Sequence, residues 1–257
     1  MKKKYLFFDI DGTLVAGGYG NTYTPEETKQ ALLQLRENGH FLAIATGRSQ
    51  AMAVDMMRDM GFSNMVSDGG NGVTIDGELL GIEPMDAEAC IALLQEAEEI
   101  GFPWGFCPEN MVLRLVPDDR FYEATHDIYM ENRVIEGLDP ADYDTFYKIN
   151  IACRRGDEKR LKSLSRLPWM RFQEEYIFVE PMDKSVGIRR IVDHFGGSYS
   201  DVVVFGDHWN DMSMFSDEWT CVAMGNAIPE LKAKADFVTT DVDKGGILHA
   251  CRHLGLI

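Results

Sequence analysis

The stretch Tyr5-Leu6-Phe7-Phe8-Asp9-Ile10-Asp11-Gly12-Thr13-Leu14 decides how the rest of the chain is read. Its apolar run, Tyr5 to Ile10, has the pattern of a strand buried on both faces in a parallel sheet. Two carboxylates and a glycine close it. A second such run, Phe41–Ala45, leads into Thr46-Gly47-Arg48, and a third, Val202–Phe205, leads into Gly206-Asp207. Ligands of open parallel α/β sheets bind just beyond the carboxyl ends of the strands. The three runs therefore deliver Asp9, Asp11, Thr46 and Asp207 to one edge, although they lie far apart in sequence.

Between these runs the chain reads as an alternation. A Gly-rich loop (Gly17, Gly18, Gly20) precedes Thr24-Pro25-Glu26-Glu27. There Thr24 is expected to cap a helix, Pro25 to take its first position and Glu27 to complete a capping box. Gly39 ends that helix, and another is expected from Arg48 to about Gly61. Strand, helix, strand, helix with short connections predicts a right-handed parallel α/β unit. Asp76-Gly77-Glu78 between two apolar segments signals a hairpin.

From Pro84 to Asp183 the pattern changes to runs of neighbouring strands, which predicts an antiparallel sheet and α+β character. Met111–Val116 and Phe146–Ala152 are its clearest strands, and Asp118–Asn132 and Asp157–Leu164 its clearest helices. Beyond Lys184 the parallel pattern returns. The fold class expected is therefore α/β: a doubly wound parallel core, residues 1–82 and 184–257, interrupted by an inserted α+β domain, residues 83–183.

The 257 residues carry 42 acidic against 25 basic side chains, a formal charge of −17. That surface repels nucleic acid and anionic lipid, so neither is the expected partner. The cysteines (Cys90, Cys107, Cys153, Cys221, Cys251) are scattered and odd in number, fitting reduced, buried thiols. Asp9 and Asp11 break the apolar run after Met-Lys-Lys-Lys too early for a signal peptide, and no stretch approaches a membrane span. A cytoplasmic location is expected.

Crowded carboxylates repel one another unless a cation sits among them, and oxygen-only ligands suit magnesium. Lys184, at the expected start of a helix, sits where the macrodipole disfavours a cation. It makes sense there if it reaches a phosphate held at the strand ends. Taken singly, Asp-x-Asp is ordinary turn chemistry, Thr46-Gly47 a helix cap, Lys184 a surface lysine, and Gly206-Asp207 with Asn210-Asp211 a capped loop. Their joint appearance, in order and on the proper sides of the strands, outweighs those readings.

Asp9-Ile10-Asp11-Gly12-Thr13-Leu14, Thr46-Gly47-Arg48, Lys184-Ser185-x-Gly187 and Gly206-Asp207-His208-Trp209-Asn210-Asp211 resemble the four motifs of the haloacid dehalogenase superfamily. The Asn71-Gly72 step, the long insertion and the Lys-Ser-x-Gly-Ile helix start resemble its Cof-type branch of sugar-phosphate phosphatases. The resemblance implies a Rossmann-like core with a cap domain acting as a substrate lid. It also implies hydrolysis of a small phosphate monoester, with Asp9 as nucleophile forming an aspartyl-phosphate and Asp11 as acid and base. Magnesium would be held by the Asp9 and Asp207 carboxylates and the Asp11 carbonyl. Thr46, Gly47, Lys184 and Asn210 would bind the phosphoryl group, and Asp211 would act from behind them.

In the insertion, Trp104, Arg114, Arg120, His126 and Lys148 are types able to meet a sugar or a second phosphate, though each alone is ordinary for core or surface. A phosphomutase uses the same nucleophile but needs a cap retaining a bisphosphate, and no clustered basic motif announces one. A phospho-accepting signalling domain also combines Asp, Thr and Lys. Its acceptor, however, lies on a middle strand of a chain about half as long.

Overall fold

The structure is a computed structural model describing residues 2–18, 21–171 and 173–257; the expected loop glycine Gly20 lies outside the described residues. In chain order the first elements are Tyr5–Phe8 (β1), Glu26–Glu37 (α1), Phe41–Ala45 (β2), Gln50–Asp59 (α2), Met65–Ser67 (β3), Gly72–Ile75 (β4) and Glu78–Ile82 (β5). Then come Ala87–Ile100 (α3), Trp104–Cys107 (β6), Leu113–Val116 (β7), Arg120–Thr125 (α4), Glu131–Val134 (β8), Lys148–Ala152 (β9), Trp169–Arg171 (β10) and Tyr176–Val179 (β11). The last are Lys184–His194 (α5), Val202–Gly206 (β12), Thr220–Ala223 (β13), Pro229–Lys232 (α6), Phe237–Val238 (β14) and Gly246–His253 (α7).

The chain divides into two compact units. Unit 1 holds Met1–Arg48, Ala53–Gly81 and Asp183–Ile257, and unit 2 holds Ser49–Met52 and Ile82–Met182.

Unit 1 is built on a sheet ordered β14-β13-β12-β1-β2-β3-β4-β5. Pairing is parallel from β14 through β3, and β3 meets β4 antiparallel. From β1 the chain steps outward through β2 and β3, then returns to the other side of β1 with β12 and steps outward again. Strand order thus reverses at β1, the topological switch point where such sheets bind ligands. Every residue of β1, β2 and β12 is buried, as their continuous apolar runs require. β1 stops at Phe8 rather than Ile10, because the Ile10 carbonyl accepts from the amides of Thr13, Leu14 and Val15 in a tight turn. The β4–β5 hairpin turns on Asp76 and Gly77, both left-handed (φ 51° and 84°), as a primed turn needs.

Unit 2 carries a sheet ordered β10-β11-β9-β6-β7-β8. One face buries Phe106, Leu113, Leu115, Ile149, Ile151, Ile177 and Val179 in a core with the α3 residues Cys90, Leu93, Leu94 and Ala97. No helix among the described residues is long and apolar enough to cross a membrane, and all five cysteines are buried.

Several local expectations are corrected. The first helix begins at Glu26 with Pro25 in the cap position and no side-chain cap bond, so the Thr24–Glu27 capping box does not form. The helix expected over Asp118–Asn132 is only α4. His126 takes a left-handed conformation (φ 49°), Asp127 is drawn into a buried ion pair with Arg114, and Glu131–Val134 is strand β8. Asp157–Leu164 holds the short 3-10 turn Asp157–Arg160 and the start of a second, Ser163–Arg166, with no α-helix. The sheet of unit 2 is not wholly antiparallel, since β7 and β8 run parallel.

Candidate active site

The three strands that close on polar residues lie side by side, in the order β12-β1-β2, so their carboxyl ends form one continuous edge. Asp9 directly follows β1, Thr46 directly follows β2 and Asp207 directly follows β12; all three are buried. Lys184 opens α5 and is 1% exposed. Its Nζ donates to Asp9 Oδ1 at 2.7 Å and to Asp211 Oδ1 at 2.6 Å. A cation at a helix N-terminus faces the wrong end of the dipole, and these two carboxylates offset that.

Among the described residues, Asp9, Asp207 and Asp211 form a group whose carboxylate oxygens lie within 4.8 Å of one another. Asp211, however, is already committed. Besides Lys184, it accepts through Oδ2 from the amides of Asp207 (2.8 Å) and His208 (3.1 Å), which locks the loop after β12. That leaves Asp9 and Asp207 as the carboxylates with capacity for a cation. Gly12 lets them come close: its φ is +85°, and a Cβ there would lie 2.3 Å from Asp207 Oδ2.

The charge balance is negative. Burial first, then Asp211, raises the pKa of Asp9 from 3.8 to about 8 despite the opposing pull of Lys184. Burial and then Asp211 raise that of Asp207 to about 7. Lys184 shifts upward, because its two carboxylate partners outweigh its desolvation, so it stays charged. One ammonium among these carboxylates does not neutralise them. A hard divalent cation with oxygen ligands fits the donor set.

The remaining expected residues take distinct positions. The Asp11 carboxylate turns to Arg48, whose Nε donates to Oδ2 (3.1 Å) and Nη2 to Oδ1 (2.8 Å). Thr46 Oγ1 accepts from the Arg48 amide at 3.1 Å. Gly47 is half-buried with open space where a Cβ would stand, room for a ligand to approach its amide. Asn210 is half-buried in the 3-10 turn Trp209–Met214.

Sequence reasoning passed over Arg48, Thr13 and Asn226 as contributors. Thr13 Oγ1 donates to Asp207 Oδ1 (3.3 Å). Asn226 Nδ2 donates to the Gly12 carbonyl (2.9 Å) and its Oδ1 accepts from the Val242 amide, tying the loop after β13 to the loop after β1. The available signal was Gly225-Asn226 following a fourth buried strand, β13, at the same sheet edge. The residues singled out in the insertion are mostly occupied structurally. Trp104 Nε1 donates to Glu98 (2.9 Å), Arg120 pairs with Asp118 and Glu98, and His126 forms the left-handed end of α4.

Comparison with known proteins agrees with this edge. The chain matches the family described as haloacid dehalogenase-like hydrolase over residues 6–251. It is 30% identical over 270 residues to the Bacillus subtilis (strain 168) protein named "Putative phosphatase YkrA", covering all of both chains. Among solved structures it resembles a hypothetical protein of Geobacillus kaustophilus HTA426, with TM-score 0.84, 31% identity and full coverage of both chains. It also resembles the subclass IIB sugar phosphatase BT4131, with TM-score 0.80, 27% identity, and coverage of 99% of this chain and 100% of that one. The strand-end carboxylates, the lysine that bridges two of them and the match over nearly the whole length place the chain in the haloacid dehalogenase-like hydrolase family.

Proposed function

We propose that the protein hydrolyses a small phosphate monoester, a sugar phosphate or similar metabolite, in a magnesium-dependent reaction through an aspartyl-phosphate on Asp9. That it is a phosphoric monoester hydrolase follows from its family and from the phosphatases it resembles; the metal, the intermediate and the substrate class are our reading. The observation that carries this reading is Lys184, buried and bonded to both Asp9 and Asp211 at the switch point of the sheet.

The Asp9 and Asp207 carboxylates and the Asp11 carbonyl would hold the metal. When bound, it supplies the positive charge that the carboxylates lack and draws electron density from the phosphoryl oxygens. Asp9 attacks phosphorus, forming a carboxyl O–P bond as the ester P–O bond breaks, and Asp11 gives its proton to the departing oxygen. Water then attacks phosphorus, Asp11 takes its proton, and the Asp9–phosphorus bond breaks to release phosphate. The Thr46 hydroxyl, the Gly47 amide, Lys184 and Asn210 bind the transferring oxygens, where charge must be stabilised. Asp211 holds Lys184 in place. Residues 83–183 serve as the domain that selects the substrate.

The test is free phosphate release from a panel of phosphate esters. Chelation should abolish it and magnesium should restore it. Asp9→Asn, isosteric but without a nucleophilic charge, should lower kcat by at least about three orders of magnitude with unchanged circular dichroism. Full turnover in excess chelator, or near-normal activity of Asp9→Asn, would overturn the proposal.

A further inference from the structure

The Asp207 carboxylate is held by neutral donors, whereas Asp9 is held by the Lys184 ammonium. Thr13 Oγ1 donates to Asp207 Oδ1 at 3.3 Å, and Asn226 Nδ2 makes a long contact of 3.4 Å with Oδ2. The backbone around Asp207 is gripped as well. Its carbonyl accepts from the Ile228 amide (2.9 Å), and the Gly206 carbonyl before it accepts from the Met224 amide (3.0 Å). The loop Met224-Gly225-Asn226-Ala227-Ile228 therefore closes on Asp207 through main chain and side chain together. Gly225 seats that loop, since a Cβ there would lie 2.4 Å from Asp241 Oδ1 and 2.5 Å from the Asp241 amide nitrogen.

Asn226 reaches a second group. The same Nδ2 donates to the Gly12 carbonyl at 2.9 Å, one residue along the chain from the Asp11 carbonyl. Which end of the amide faces which way is fixed, because Oδ1 accepts from the Val242 amide at 2.9 Å and so the nitrogen must face Gly12 and Asp207. One side chain, tethered to a third segment of unit 1, thus spans the loop that carries the Asp11 carbonyl and the carboxylate of Asp207. A neutral donor suits that task. An ammonium in its place would also orient the carboxylate, but it would repel a cation bound there. The spacing of such ligands matters to the ion. Magnesium demands near-ideal octahedral geometry at about 2.0–2.1 Å, while calcium accepts flexible arrangements at about 2.3–2.6 Å. Ligands pinned against each other favour the strict ion, and loosened ones admit the tolerant one.

We infer that Asn226 is a positioning residue for metal selectivity: by pinning the Gly12 peptide against Asp207, it holds the ligands at the spacing of a small octahedral cation and so favours magnesium over calcium. The inference rests on the metal assignment proposed above. Asn226 acts through Gly12 and Asp207 and needs no contact with the cation or with phosphorus.

The test is thermal unfolding of the substrate-free protein, titrated with magnesium chloride or calcium chloride at fixed ionic strength, so that the rise in melting temperature gives a Kd for each ion. Loss of a group behind a metal ligand typically costs about 10- to 100-fold in affinity. In Asn226→Ala the ratio of the calcium Kd to the magnesium Kd should therefore fall about tenfold or more, mainly because magnesium binds more weakly. A merely structural role would weaken both ions alike and leave the ratio unmoved. Asn226→Asp keeps the acceptor for the Val242 amide and loses both donor contacts. Its added charge attracts the two divalent ions alike, so its ratio should fall as well, and it stands in if the alanine variant fails to fold. A wild-type ratio near one, or an unchanged ratio in a folded variant that still binds magnesium, would overturn the inference and leave the metal assignment standing. If the wild-type protein binds neither ion, the metal assignment fails and the inference fails with it.

Discussion

The two units handle buried charge in opposite ways. At the sheet edge of unit 1, one buried lysine answers Asp9 and Asp211 while Asp207 stands beside them, and the pKa of Asp9 and of Asp207 is driven up. On the sheet face of unit 2 turned away from α3, Arg114 meets Asp127 and Lys148 meets Glu180, each cation against its own carboxylate. A neutralised cluster can rest on the protein alone. An unbalanced one is built for something the chain does not contain, and in a phosphatase that is a metal ion and a phosphoryl group. The imbalance, more than the mere presence of carboxylates, sets the candidate active-site edge of unit 1 apart from the charged cluster of unit 2.

Breaking the balanced side should give the largest effect. Arg114→Met leaves Asp127 buried with only its hydroxyl and amide donors, and removing one partner of a buried pair costs about 3–5 kcal/mol. Urea unfolding should show a loss of that size, with the double variant Arg114→Met, Asp127→Asn losing less. Equal losses in the two would mean that the ion pair contributes nothing beyond packing.

Next comes the unbalanced side. Lys184→Met keeps the apolar stem and removes the charge, so kcat/KM should fall by about two to three orders of magnitude, near 3–4 kcal/mol. Lys184→Arg should not fully restore it, because a planar fork cannot reach two carboxylates as a compact ammonium does. Lys159, exposed in a short 3-10 turn of unit 2, is the control and should change activity little when made Met. Equally small effects from Lys184→Met and Lys159→Met would place the phosphate clamp elsewhere.

The smallest effect sharpens the metal assignment. Asp9 and Asp207 hold protons more tightly folded than unfolded, with pKa values raised from 3.8 to about 8 and about 7. Their contribution to stability is therefore complete below about pH 4 and is lost as pH rises through 7 and 8. Magnesium competes with those protons. In chelator the melting temperature should drop as pH rises from 6 to 9, and the gain on adding magnesium should widen over the same interval to several degrees. A magnesium gain independent of pH would remove these carboxylates from the metal site.

How far the chain could be read in advance depended on whether a signal was local. The strands β1, β2 and β12 are buried on both faces, so continuous apolar runs followed by polar residues declared them, and the edge they share follows from parallel α/β topology. Asp9, Thr46, Lys184 and Asp207 were legible for the same reason, since each sits within a residue or two of a strand or helix end. Asp118–Asn132 was misread because helical spacing continues past Thr125, while Asp127 finds its partner Arg114 on a neighbouring strand. Nothing within that segment announces the pairing. The same holds for the parallel β7–β8 pair, and for Asn226, whose neighbour Gly12 lies at the far end of the chain.

The sequence by itself determined the doubly wound core, the inserted second domain, the strand-end carboxylates and the need for a cation among them, because buried strands and charge crowding are properties of residue type and order. The tertiary structure alone decided which carboxylate is spent on Lys184 and the loop amides, that Arg48 takes the Asp11 carboxylate, and that Asn226 reaches both Gly12 and Asp207. Those outcomes depend on which side chains meet across strands and loops distant in sequence. A hydrogen bond is made or missed over a few tenths of an ångström, a distance that no spacing of residues along the chain encodes.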